Sequence, residues 1–394
     1  MNPTFRKQIG ATLAGLALIA WATSAGAKDV VKVAFIGPLT GSLSADGLGG
    51  RNSAELAVKH HNADPKSKYE FQLVVLDDEC KPSVGVQVAT KAATDPSVMA
   101  VSASWCSAAT IAEAPVFTRF KLPNVVWAAV LPSITNEQKV INGQHYIHRV
   151  SATLINQNRV AAKFMTGSQQ YKRWAAIYDT TDYGKEMIRY FDQFLKEEKG
   201  TMLASFGVPP DQQDLSAVLT KIKELNPEVV YFGGLTPLGV RVLKQMDKLG
   251  IKAQLQGTSG MVGPSFVAGA GAELAEGVIA AYDMKPVEEL PGGKFFVEEY
   301  AKQKYNEPFA AYGPYAYSAM TLIMDTIEKT GPNREKINIA LGDVKNYPAI
   351  VGNITFDDLG QNISPQTTIY VVQDGEFIDW NKSQYASGKR KLRH

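Results

Sequence analysis

Short β-rich apolar runs alternate along this chain with longer stretches whose apolar residues recur at helical spacing. Runs at 30–36, 71–76, 98–101 and 124–127 read as strands, with helices at 51–61 and 84–94 between them. The pattern then restarts, with strands at 174–178, 202–206, 229–232 and 253–256 and helices at 187–196, 215–224 and 238–249. Parallel neighbours need a crossover connection, so such alternation builds a parallel sheet with helices on both faces. Two series predict an α/β protein of two doubly wound, parallel-sheet lobes. The last third differs: helices are expected at 295–305 and 315–329, the second stopped by Thr330-Gly331-Pro332. Strands return at 350–356 and 368–373, so the chain is expected to cross between its lobes more than once.

A length of 394 residues, 45% hydrophobic and 20% charged, is enough for two cores. Lys and Arg number 41 against 39 Asp and Glu, a balance that offers no field for nucleic acid. Arg6 and Lys7 precede an apolar run from Ile9 to Ala22, short for a bilayer span, and Ala25-Gly26-Ala27 is a small-x-small cleavage site. Residues 1–27 are therefore expected to be a signal peptide cut after Ala27, and the mature chain a soluble periplasmic protein. The basic tail, with Lys389, Arg390, Lys391 and Arg393, is expected to be a solvated, frayed end, with docking as the alternative.

Open parallel sheets bind ligands beyond the carboxyl ends of their strands, and two facing lobes make a cleft there. In Val98-Met-Ala-Val-Ser-Ala-Ser-Trp-Cys-Ser, a strand ends near Ser102 and a helix begins near Ser107. The Ser107 hydroxyl then caps that helix or binds an anion beside its free amides. Cys80 and Cys106 follow two strands expected to be neighbours. A bridge between them would stiffen the rim that carries Ser107; two free buried thiols are the competing reading.

Val33-Ala-Phe-Ile-Gly-Pro-Leu-Thr-Gly41, Asp77-Asp78-Glu79-Cys80, Trp105-Cys106-Ser107, Ile177-Tyr-Asp-Thr-Thr-Asp-Tyr-Gly184, Tyr231-Phe-Gly-Gly234 and Ala275-Glu-Gly-Val278 occur in a specific order and spacing. In these the mature chain resembles the type I periplasmic solute-binding proteins of ABC importers, the branch that binds leucine, isoleucine and valine. The resemblance implies a hinged pair of lobes with three crossings, placed here at 28–148 with 282–359 and at 149–281 with 360–394. It implies a Cys80–Cys106 disulfide, no cofactor, a small-molecule ligand and an inner-membrane ABC permease as partner; a monomer is expected. Ser107 matches the serine that holds the ligand carboxylate, and Trp105 the apolar residue beside it. Ala128 and Ala129 fall on the backbone of the first-lobe wall, Tyr183 on the tyrosine packed over the ligand, and Tyr312 near an aromatic wall position.

Three positions depart from the family pattern. Val130 stands where amino-acid binders carry a threonine, Ser259 where they carry the acid that pairs with the α-ammonium, and Asp46 where an aromatic covers the ligand. A buried ammonium without a partner is costly, which argues against an ordinary α-amino acid. Trp127, at a strand end, is expected to add a flat apolar surface to Trp105 and Tyr183. The expected ligand is a small organic acid, an aromatic carboxylate above all, held at Ser107. A branched-chain or other amino acid is the alternative.

An exported enzyme is disfavoured, because no Gly-x-Ser-x-Gly, His-Glu-x-x-His or Gly-x-x-x-x-Gly-Lys motif occurs. His60, His61, His145 and His148 have poor metal geometry and are expected to be solvated or structural. The acids Asp77, Asp78 and Glu79 are expected to be solvated, and no metal site is expected. A ligand-sensing module for a signalling receptor is the reading from another class, since one fold serves both roles.

Overall fold

The computed structural model describes residues 28–364 and 366–393. The expected signal peptide lies outside the described residues. A first sheet is built from β1 (Asp29–Gly37), β2 (Tyr69–Asp77), β3 (Val98–Ser102), β4 (Asn124–Val126) and β5 (Ile147–Arg149), in the order β2-β1-β3-β4-β5 and parallel throughout. A second is built from β6 (Arg173–Asp179), β7 (Thr201–Val208), β8 (Val229–Gly233), β9 (Gln254–Gly257) and β10 (Ile279–Tyr282). After a small ribbon of β11 (Tyr347–Ala349) and β12 (Gly352–Ile354), β13 (Thr368–Gln373) and β14 (Glu376–Asp379) complete that second sheet. Its order is β14-β13-β10-β9-β8-β6-β7. The expected α/β fold of two doubly wound lobes is present, with one difference: β13 runs antiparallel to both β10 and β14, so the second sheet is mixed. The expected strand at 350–356 is instead the ribbon β11–β12, bent at Gly352.

The inner strands show no alternation because both faces are covered. Every residue of β8 and of β9 is buried, as is all of β1 beyond its first residues apart from half-buried Lys32. The helix Ser44–Ala63 packs on the helix Gly313–Thr330 over the first sheet. His60 and His61 join these layers, His60 to Tyr317 at 2.9 Å and His61 to Glu328 at 3.3 Å. The helix Gly313–Thr330 ends as its sequence requires, with Gly331 at φ +77° and Pro332 unable to continue it. The first core continues into Tyr183, Met187 and Val262, from elements of the second sheet.

The expected neighbours β2 and β3 are not adjacent, because β1 lies between them. The bridge forms all the same: Cys80 and Cys106 are disulfide-bonded with Cα atoms 5.4 Å apart. Their loops both leave the carboxyl edge of the sheet and meet over the end of β1. The basic tail is not frayed. Arg390 pairs with Glu276 at 2.5 Å and with Asp374 at 2.7 Å, and Arg393 donates to the Leu274 carbonyl at 3.0 Å.

Candidate functional site

In the first sheet the strand order reverses between β1 and β3; in the second it reverses between β6 and β8. Loops leaving such a switch point diverge to opposite faces and open a crevice at the carboxyl edge. Here the two switch points face each other. The loop after β3 brings Trp105, Cys106 and Ser107; the loops after β6 and β8 bring Thr181, Tyr183 and Leu235; the turn after β9 brings Ser259 and Gly260. Together with Ala128, Val130 and Tyr312 they line one crevice.

Ser107 opens the helix Ser107–Arg119, but its hydroxyl does not cap it. Instead Oγ accepts the Val130 amide at 3.3 Å, which leaves its own hydrogen free to donate. Beside it lie first-turn amides that have no partner within the helix and carry the positive end of its dipole. The residue is 5% exposed, so an anion arriving there is shielded from water. The bridge at Cys106 anchors the residue immediately before this turn, and both cysteines line the crevice.

Tyr183 lies near the start of the helix Asp182–Glu197, with its hydroxyl donated to Thr258 Oγ1 at 3.0 Å. Burial pushes its phenol well above the ordinary value, so it stays neutral and offers a ring face. Ser259 donates its amide to Gln157 at 3.4 Å. Thus seven of the residues singled out in the sequence meet in one crevice: Trp105, Ser107, Ala128, Val130, Tyr183, Ser259 and Tyr312.

Three others lie elsewhere. Trp127 is fully buried in the first core, packed on Phe35 at 5.3 Å with Nε1 donated to the Ile36 carbonyl at 3.1 Å. Gly50 makes room for it: a Cβ there would stand 2.6 Å from the indole. Its flat face is therefore spent on the core, not on a ligand. Ala129 is turned into the wall, its amide donated to Ser104 at 3.2 Å and its carbonyl accepting from buried Arg149 at 3.1 Å. Asp46 sits in the first turn of the helix Ser44–Ala63, outside the crevice lining. Of the three loop acids, Glu79 is exposed as expected, paired among the described residues only with exposed Lys81 at 2.6 Å; the other two are not simply solvated: Asp78 is fully buried and accepts from Cys80 N at 2.8 Å and from Ser104, while Asp77 accepts from Leu39 N at 2.9 Å. Asp77 and Asp78 lace the rim together, and no metal-holding cluster occurs among the described residues.

Burial raises the Asp46 carboxyl from 3.8 to about 7. Between those values the unfolded chain has lost its proton and the native chain has kept it, so this group makes stability fall as pH rises from about 4 to 7. Asp46→Asn is expected to flatten that part of the profile of Tm against pH; a profile identical to wild type contradicts the assignment.

Leu235, Thr181 and Gly260 had no individual signature in the sequence. Leu235 follows Tyr231-Phe-Gly-Gly234, and its place after a strand at a switch point is the signal that would have found it.

A family model described as periplasmic binding protein matches residues 30–376. The leucine-, isoleucine-, valine-, threonine-, and alanine-binding protein of Pseudomonas aeruginosa is 28% identical over 367 residues, 92% of this chain and 95% of that one. The crystal structure of a leucine-binding protein, LivK, from Thermotoga maritima aligns with a TM-score of 0.80 at 27% identity, covering 89% of this chain and 97% of the other. An ABC-transporter solute-binding protein from R. palustris, in complex with 4-hydroxybenzoate, aligns with a TM-score of 0.79 at 21% identity over 89% and 95% of the chains; at that identity it shares the fold.

Proposed function

The chain belongs to the periplasmic binding protein family and is a periplasmic solute-binding component of the ABC-importer type; on that footing we propose that it captures a small organic acid, an aromatic carboxylate, between its lobes. The carboxylate is held by the Ser107 hydroxyl and the first-turn amides of the helix Ser107–Arg119. Trp105 and Tyr183 supply flat apolar faces for the ring. The lobes, residues 28–148 with 282–359 and 149–281 with 360–394, hinge shut on the ligand, and the closed form is what an inner-membrane permease reads.

The observation that carries the ligand class is the composition of the wall. None of the 13 lining residues is Asp or Glu, and Val130 and Ser259 are the residues that the family resemblance puts where amino-acid binders carry partners for the α-ammonium. An ammonium closed into this crevice would lose its hydration without gaining a counter-charge at the wall. The names of relatives favour a second reading, a branched-chain amino acid. Calorimetric titration separates the two. Benzoate is expected to bind and leucine not to; tight leucine binding with none of benzoate reverses the choice.

Ser107→Ala is expected to weaken carboxylate binding by about 1–3 kcal/mol, the range for a hydrogen bond to a charged group. The ligand-free Tm should stay near wild type, because the Val130 amide is the hydroxyl's only partner among the described residues. An unchanged affinity removes Ser107 from the site.

A further inference from the structure

Arg149, the last residue of β5, is fully buried, and the four hydrogen bonds of its guanidinium go to neutral acceptors. Nε donates to Gln361 Oε1 at 2.6 Å, Nη1 to the Ala129 and Leu131 carbonyls at 3.1 and 2.6 Å, and Nη2 to Thr135 Oγ1 at 3.2 Å. Asp283 and Asp357 feel its charge, but neither is among these acceptors. Burial lowers the guanidinium to about 9, so it stays charged at neutral pH. A buried cation held by dipoles alone is costly, so its position calls for an explanation.

The peptide unit between Ala129 and Val130 supplies one. Its carbonyl accepts from Arg149 Nη1, and its N–H donates to Ser107 Oγ at 3.3 Å. A single peptide group therefore joins the cation to the hydroxyl at the crevice. The unit is fixed from both sides. Ala129 donates its amide to the Ser104 carbonyl at 3.2 Å, the Val130 carbonyl accepts the Leu154 amide at 3.0 Å, and the Leu131 carbonyl is held by the same Nη1. Gln361 is fixed in turn: Nε2 donates to the Ser151 and Asn362 carbonyls at 2.9 and 2.8 Å, which leaves Oε1 for the guanidinium. Hydrogen bonds in a chain polarise one another, the more so where water is excluded. The cation draws electron density towards the Ala129 oxygen. The Val130 N–H becomes a stronger donor, and through it so does the Ser107 hydroxyl.

We infer that Arg149 is a positioning residue for the anion site, delivering its charge through the Ala129–Val130 peptide to Ser107 and so selecting an anionic solute over a neutral one of the same shape. The inference rests on the organic-acid reading above and adds to it a residue outside the crevice lining. None of the lining residues is Lys or Arg, so the positive charge that steadies a carboxylate comes from behind the wall. A brace without an electrostatic role would treat charged and neutral ligands alike.

The test is calorimetry at neutral pH with benzoate and benzamide, which share a ring and differ in charge. Wild type is expected to prefer benzoate. Gln361→Glu sets a carboxylate against Nε and cancels the charge while the bonds to Ala129 and Leu131 remain. The ratio of benzoate to benzamide affinity should then fall about 10-fold. Thr135→Asp sets the anion against Nη2 and gives the same reading where Gln361→Glu does not fold. Gln361→Met removes the Gln361 bonds without adding charge, and a ratio that falls as far there overturns the inference. Equal affinities of wild type for the two ligands also overturn it, as does a wild-type ratio in the charge-cancelling variants; each of these leaves capture of benzoate standing. A wild type that does not bind benzoate overturns both the inference and the aryl-acid reading.

Discussion

Trp127→Ala is expected to destabilise the protein by about 3–5 kcal/mol, the cost of emptying a large aromatic site in a close-packed core. The indole is fully buried against Phe35, fits against Gly50 and ties β4 to β1 through the Ile36 carbonyl. Its removal leaves a void between the first sheet and the helix Ser44–Ala63, and leaves that carbonyl without its side-chain donor. Denaturant unfolding should show a large fall in midpoint. Ligand affinity under folding conditions should stay close to wild type, because the ring does not line the crevice. Full stability combined with lost binding would return Trp127 to the site.

Removing the disulfide, as Cys80→Ala with Cys106→Ala, is expected to cost about 3–4 kcal/mol on the chain-entropy model for a bridge spanning 26 residues. The bridge joins the loops after β2 and β3 across the end of β1, a connection no backbone pairing replaces. Since Cys106 directly precedes Ser107, the double variant should also bind its acid more weakly than wild type. Reduction of the wild-type protein should reproduce both effects. Unchanged Tm and affinity after verified reduction contradict this role.

Strands buried on both faces are legible as continuous apolar runs, which is why β13 coincides with its predicted residues and β1 extends its predicted run by one residue at each end. The same property hides lateral order: nothing in a two-sided apolar run says which strand lies beside it, so β1 between β2 and β3 was not readable. Ser107 was legible because a strand, a short loop and a helix start are local features. Trp127 was not, because a large apolar residue at a strand end faces the core or the cleft according to a one-residue change of direction. Its neighbours Gly37 and Gly50 come from other elements. The docking of Arg390 on Glu276 joins residues 114 apart, and no local pattern announces such a pair.

The most direct measurement is a crystal structure of the protein with the solute that co-purifies from its native host, identified by mass spectrometry after denaturation. An organic acid in the crevice, its carboxylate oxygens within hydrogen-bond distance of Ser107 Oγ and of the first-turn amides of the helix Ser107–Arg119, is the expected result. A solute seated away from Ser107, or an α-amino acid whose ammonium finds its partners at Val130 and Ser259, contradicts it.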